Sequence, residues 1–355
     1  MKTLEELRSI FLERMCSGHY VPQRTGAKSE KPDLSQSIRP FYFLKTVEGY
    51  HQPSNADGQE KIAKRLADLL GVRHWDSLKS DPATAPLLVN GKGEIASKPF
   101  PGQTCGHELE KLTSWFLQEA FVNELRFLRP GKFRIKQGGF LKSYQQYRHL
   151  EDFERVLDFI PNHETALKLR LSAAFSSYAV KPDLVITRSA VTRHEINESW
   201  QQQYPGEEKK SFISEGMVLH SPLLEDSSEK QHLLHAIISA KWSIRSDRAQ
   251  NARTEGAFAS QQRRGNAPRF VVVTGEPKPS RIRSLTEGAD VDCVYHICLE
   301  KLQQAVEEVG AQEKDESLET VASGAVRPTE KDRLKALLEM NRLRDITDLP
   351  FDLSI

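Results

Sequence analysis

Cysteine is scarce in this 355-residue chain, which carries only Cys16, Cys105, Cys293 and Cys298. No two of them form a Cys-x-x-Cys pair, and no histidines cluster at zinc-finger spacing, so the chain carries no zinc-finger signature. Free, partly buried thiols in a reducing compartment are expected. Long apolar runs are also missing. Nothing approaches the roughly 18 consecutive apolar residues of a membrane helix, and Met1-Lys-Thr-Leu-Glu-Glu-Leu-Arg8 reads as the start of an amphipathic helix rather than a signal peptide. A cytoplasmic protein that does not engage a membrane is expected. Charge of one sign is lacking too, because 50 basic residues offset 49 acidic ones and leave a net +1. That balance does not exclude a nucleic-acid partner, which needs basic groups on one face and not an excess overall. Internal repeats are absent. Hydrophobic residues at 38% and charged residues at 28% are ordinary for a globular chain, long enough for one large domain or two small ones.

What is present divides the chain in two. Helical periodicity covers 3–16, with Leu4, Leu7, Phe11 and Leu12 on one face, then 59–70 and a long stretch from about Gly106 to Leu128 that Arg129-Pro130-Gly131 ends. Residues 17–40 and 76–104 read as irregular. Strands are predicted at 133–136, 183–188, 235–243, 269–274 and 292–297, with helices at 145–158, 164–174, 247–263, 299–309 and 329–341. Arg269-Phe-Val-Val-Val-Thr274 is a continuous β-branched run, the mark of a strand buried on both faces. The alternation predicts an α/β fold, a sheet covered by helices behind a helical N-terminal part. Residues 310–329 are acidic and rich in small side chains, which suggests a flexible insertion.

The densest chemistry lies in Ser239-Ala-Lys-Trp-Ser-Ile-Arg-Ser-Asp-Arg248 and its continuation to Glu255. Lys241 ends an apolar strand, Arg245, Asp247 and Arg248 follow at once, and Glu255 stands fourteen residues beyond the lysine. Upstream, Asp183 opens another strand in Lys181-Pro-Asp-Leu-Val-Ile-Thr-Arg188. Phosphodiester hydrolysis needs an activated water, a metal ion on the scissile phosphate and a cation for the developing charge. Carboxylates and carbonyls suit Mg²⁺. If the two strands pair, Asp183 and Lys241 share a site that the Ala240 carbonyl also reaches. Each residue alone has a plain structural role, since Pro-Asp is a common turn and a lysine at a strand end is usually solvated. Glu110 sits near the positive end of a long helix, where an acid is favoured by the macrodipole, and Glu108 rivals it two residues away.

Arginine donates in bidentate fashion to guanine, and aspartate accepts from cytosine N4 in the major groove. Arg245, Asp247 and Arg248 therefore carry the chemistry to read consecutive G·C pairs, with Ser246 or Asp247 as a cap for the following helix. Arg281 follows the buried strand and a turn, where functional groups gather. Lys278, Arg283, Arg263 and Arg264 are candidate phosphate contacts. The ordinary alternatives are a helix cap, a turn residue at Asp57 and solvated surface arginines.

These segments resemble the NgoMIV-type type II restriction endonucleases of the PD-(D/E)xK nuclease superfamily, in the subgroup whose sites share a central CCGG. The likeness runs through Ser54-Asn-Ala-Asp-Gly58, Pro101-Gly-Gln-Thr104, Pro182–Arg188, Ser239–Gly256, Val271–Ile282, Asp292–His296 and Asp345–Leu353, in order along the chain. The resemblance implies a restriction-endonuclease-like fold, a central mixed β-sheet flanked by helices. It further implies one domain over 1–355, with a DNA-contacting part at 1–99, a core at about 100–310, and a C-terminal helix and tail at 330–355. It makes Asp183 a metal ligand, Lys241 the catalytic lysine, Glu255 a displaced acid and Glu110, not Glu108, the additional glutamate. The Ala240 carbonyl would complete the Mg²⁺ ligands. Ser239 stands where the acid two before the lysine usually is, and joins the DNA-facing set. Arg245, Asp247 and Arg248 match readers of the central pairs, Asp57 and Arg281 the outer G·C pair, and Gln103 a minor-groove contact. The implied site is GCCGGC, cut after the first G to leave a four-base 5′ overhang. A homodimeric cutting unit, a homotetramer acting on two double-stranded DNA sites, and a methyltransferase in the same host are implied as well. The gap between Asp183 and Lys241 is longer than the family's pattern, with extra residues around 200–215, and 72–98 and 310–329 also read as insertions. A catalytically silent DNA-binding protein, or a repair or junction nuclease on the same fold, are the alternatives.

Overall fold

The run Arg269–Thr274 forms the buried strand that its β-branched side chains dictate, with every residue after Arg269 removed from solvent. The computed structural model describes residues 2–16, 44–46, 49–51, 61–72, 77, 80, 82, 102–151, 181–206, 210–217, 221, 223–224, 232–316 and 328–355. In chain order the helices are α1 (Leu4–Cys16), α2 (Lys61–Leu69), α3 (Gly102–Leu117), α4 (Arg193–Gln203), α5 (Ser246–Gln261), α6 (Pro279–Thr286), α7 (Leu299–Glu316), α8 (Glu330–Glu339) and α9 (Leu349–Asp352). The strands are β1 (Leu44–Thr46), β2 (Gly49–His51), β3 (Phe133–Gln137), β4 (Leu184–Arg188), β5 (Leu233–Lys241), β6 (Arg269–Thr274), β7 (Cys293–His296) and β8 (Leu343–Asp345). β1 and β2 make a small antiparallel ribbon, and the others follow in the order β3-β4-β5-β6-β7-β8 of a six-stranded mixed sheet. The α/β class read from the sequence is the one that forms.

Two compact units divide the chain. One comprises Met1–Leu128, Ser239–Thr254 and Phe270–Ile355, and the other Arg129–Ile238 and Glu255–Arg269. In the first, β6, β7 and β8 run parallel, with Val271 opposite Cys293 and Val294 opposite Leu343. Helix α2 buries Ile62, Ala63, Leu66 and Ala67, the i, i+4 stripe of an amphipathic helix, and Arg65 pairs with Glu308 of α7. Phe11 of α1 meets Phe116 of α3 edge to face, ring centroids 5.6 Å apart, both rings fully buried. Phe116→Ala is expected to cost about 3–5 kcal/mol of stability, the scale for emptying a phenylalanine site in a packed core. Urea unfolding measures it, and a loss below about 1 kcal/mol would place the ring at a rim that can collapse. Burial holds His296 neutral, its pKa pushed down to about 4, while Nδ1 accepts the Cys298 N–H at 3.2 Å. Cys293 and Cys298 are buried and form no disulfide, and burial pushes the Cys293 thiol up to about 11.

In the second unit β3, β4 and β5 are antiparallel, pairing Ile135 with Ile186 and Val185 with Ile237, and a bulge falls at Ile186/Thr187. β3 turns Arg134 and Lys136 to solvent, charges that discourage further strand pairing at an edge. Gly138 is required at the turn after β3, because a Cβ there would lie 2.1 Å from the Pro182 carbonyl oxygen. The buried Gln146 side chain donates to the Leu234 carbonyl at 2.7 Å and accepts its N–H at 2.9 Å, and the Tyr147 hydroxyl donates to the Ala259 carbonyl at 2.6 Å. Thr192 and Glu195 form a capping box at the start of α4.

The structure differs from the sequence expectation at several ends. The long helix is α over 102–117 and widens to a π-helix at Gln118–Glu124 before the predicted proline stop. Helix α7 continues to Glu316, so residues 310–316 of the expected flexible insertion are helical, and 317–327 lie outside the described residues. Within the helix expected over 145–158, residues Gln145–Tyr147 make a 3-10 turn. Residues 148–151 are helical as expected, and 152–180, which hold the rest of that span and the helix expected at 164–174, are outside the described set. Helices α4, α6 and α9, the β1–β2 ribbon and the short strand β8 were not foreseen.

Candidate functional site

Lys241 is the last residue of β5 and Ser246 the first of α5. The four residues between them are no loose loop. Trp242, Ser243 and Ile244 are all buried, while Arg245, Ser246 and Asp247 are exposed. A segment with three buried residues followed by three exposed ones fixes its own direction, because turning it over would bury charge. Two hydrogen-bond sets hold it. The Ile244 N–H donates to Glu276 Oε2 at 2.7 Å, and Arg248 Nη1 reaches the carbonyl and hydroxyl oxygens of Ser243, each at 3.4 Å. The Ala249 N–H donates to the Arg245 carbonyl at 2.8 Å. Arg245 therefore occupies the cap position, and Ser246 and Asp247 lie in the first turn, one and two places further in than their expected capping role. An acid in that turn complements the helix dipole.

Arg281 is the third residue of α6, which begins at Pro279 with Lys278 as its N-cap. The Ser280 N–H donates to Glu330 Oε2 at 2.7 Å, and Arg333 holds the other Glu330 oxygen at 2.6 Å. A carboxylate from α8 thus satisfies an orphan donor at the start of α6. Arg245 and Arg281, thirty-six residues apart in sequence, line one cavity of about 480 Å³. Arg253, Ser246, Ser280 and Ser284 line it too, and no carboxylate appears among its described lining residues. Three guanidinium groups around one cavity make it a place for an anion or for acceptor-rich edges.

Sequence reasoning assigned no role to Arg253 or Glu276. Arg253 was detectable, since 245, 249 and 253 follow one another at the i, i+4 spacing of a helix face. Glu276 gave no such signal; only the fold shows that it is fully buried and what it holds.

The remaining site candidates are distributed over both units. Glu110 lies in α3, half-buried, with His107 Nδ1 3.4 Å from its Oε2, whereas Glu108 is buried and pairs with Lys111 at 2.9 Å. The two glutamates face differently, and Glu108 is already engaged. Asp183 directly precedes β4, half-buried, with its carbonyl accepting the Gly138 N–H at 3.2 Å. Lys241 and Glu255 are half-buried, Glu255 seven residues after Arg248 and so on nearly the same stripe of α5. Ser239 is fully buried and Ala240 nearly so, which leaves the Ser239 side chain no surface to offer DNA. Gln103 falls in the first turn of α3, and Asp57 lies outside the described residues.

Among the described residues no three His, Cys, Asp or Glu side chains group together. A magnesium ion does not require such a group, because it keeps several waters and takes one or two carboxylates. Asp183, Glu255 and the Ala240 carbonyl offer only oxygen, the hard donor that ion prefers. No helix among the described residues is long and apolar enough to cross a membrane.

The profile described as NgoMIV restriction enzyme matches residues 77–355 of the chain. The type II restriction enzyme NgoMIV of Neisseria gonorrhoeae is 34% identical over 312 residues, covering 85% of this chain and 90% of that enzyme. The six-stranded mixed sheet agrees with a restriction-endonuclease-like fold. Likeness of this extent carries the nuclease activity and DNA binding of the family with it, and the chain belongs to the NgoMIV family of type II restriction endonucleases.

Proposed function

We propose that the enzyme cleaves double-stranded DNA at GCCGGC, after the first G, leaving a four-base 5′ overhang. The observation that carries this reading is the pairing of Arg245 and Arg281 around one cavity free of carboxylates among its described lining residues. Both are guanine-reading side chains, assigned from the sequence to the central and the outer pair. Asp247 on the exposed first turn supplies the cytosine acceptor, and Arg248 the second central arginine. Each bidentate contact discriminates by about 1–3 kcal/mol, so a few per half-site exclude A·T pairs. Asp57 completes the outer-pair set and Gln103 the minor-groove contact.

In the chemical step Lys241 stabilises the negative charge that grows on the scissile phosphate as water attacks phosphorus. Asp183, Glu255 and the Ala240 carbonyl would hold Mg²⁺, and Glu110 a neighbouring water or ion. The ion, when bound, activates water and neutralises the phosphate. A two-fold DNA site calls for a two-fold protein, so a homodimer forms the cutting unit, and two dimers a homotetramer. A host carrying the enzyme needs a methyltransferase for the same sequence.

Plasmid digestion with Mg²⁺, followed by sequencing of the ends, tests the reading. Every end is expected to begin 5′-CCGGC, with cutting abolished by EDTA. Ends at another sequence overturn the assigned specificity, and EDTA-resistant cleavage overturns the metal-dependent mechanism.

A further inference from the structure

We propose that Glu276 is a positioning residue that locks Arg281 and the start of α5 into one unit. Its side chain is fully buried, so it does not touch DNA. It lies two residues past β6, where its own N–H donates to Thr274 Oγ1 at 3.1 Å. From there the carboxylate grips three things. Oε2 accepts the Ile244 N–H at 2.7 Å, fixing the backbone one residue before Arg245. Oε1 accepts the Lys278 N–H at 3.1 Å, fixing the turn that leads into α6. The same Oε1 faces Arg281 Nη1 at 3.6 Å.

A buried carboxylate is costly unless its charge is paired and its lone pairs are used. Here the compensation comes from the two segments that carry candidate base readers. Removing the charge therefore loosens both at once, and does so without removing any group that meets DNA. Arg281 remains about one-third exposed, so its guanidinium keeps donors for a base edge while Glu276 orients the plane. The inference rests on Arg281 being a base reader.

Glutamine cannot replace glutamate here. Both carboxylate oxygens accept backbone N–H groups, and an amide has one acceptor end, so its NH₂ must confront a donor at Ile244 or Lys278. Glu276→Gln is expected to lower the ratio of kcat/KM on GCCGGC to that on a site with a changed outer pair about tenfold, within the range for coupled neighbours. The loss should fall mainly on KM, with the affinity for unrelated DNA unchanged. Glu276→Asp, which keeps the charge but retracts it by one methylene, should recover part of the ratio. Arg281→Ala is the parallel arm, and the double variant should discriminate no worse than Arg281→Ala alone. An unchanged ratio in Glu276→Gln, beside a lowered one in Arg281→Ala, overturns the role of Glu276. An unchanged ratio in Arg281→Ala overturns instead the reading of that arginine as a base reader. If neither Glu276 variant gives a folded protein by circular dichroism, Glu276 belongs to the fold alone and the proposal fails.

Discussion

Lys241→Ala is expected to lower DNA cleavage about a thousandfold, the scale of removing one preorganised stabiliser of transition-state charge. Binding to a GCCGGC duplex should change little, because the lysine's favourable contact is with charge that develops only as the phosphate reacts. The half-buried position at the end of β5 supports both halves of this expectation. The stem is held by the strand, and the buried Trp242 and Ser243 next to it keep the backbone fixed after truncation. Single-turnover cleavage, together with binding measured in Ca²⁺ in place of Mg²⁺, checks it. A rate within about tenfold of the parent would remove the lysine from the mechanism, since catalytic groups of this kind carry more. Weakened binding with an unchanged single-turnover rate would make it a ground-state phosphate contact.

Arg245→Ala carries the second large expectation, a loss of about 10- to 100-fold in affinity for GCCGGC, equivalent to about 1–3 kcal/mol. Its side chain is exposed, at the cap position of α5 and on the wall of the cavity that Arg281 also lines. Exposure means that truncation costs the fold little. Competition between cognate and scrambled duplexes gives the decisive comparison. A base reader loses the cognate advantage, whereas a phosphate contact weakens both duplexes alike and lowers the salt slope by about one. Equal losses on both duplexes would therefore reassign Arg245 to the backbone.

The sequence was most legible where side chains leave the backbone one choice. β6 falls where Val271-Val-Val273 demands it, and α2 keeps the stripe of Ile62 and Leu66. Legibility failed where the determinant is distant or short. β8 is only Leu343-Arg-Asp345, too brief for a period, and is defined by pairing with β7. The extension of α7 to Glu316 follows from Glu and Lys, good helix formers that the acidic character of the segment obscured. At the site, Arg245, Arg248 and Arg281 could be singled out by type and spacing, since a guanidinium group suits a guanine edge. Glu276 did not. A lone glutamate after a strand is ordinary in sequence, and what sets it apart is three partners from segments up to thirty-two residues away.

The buried link Trp242–Ile244 has a consequence for how such an enzyme can diversify. It fixes a short ruler between the proposed cutting lysine and the first proposed base reader, with its far end pinned to Glu276. In the proposed reading, exchanging exposed residues of α5 alters which letters are read, while the ruler keeps its length. New specificities arising in this scaffold would then inherit the same placement of the lysine relative to the readers. An insertion or deletion within the link would shift the lysine relative to Arg245 and break the packing of Trp242, Ser243 and Ile244.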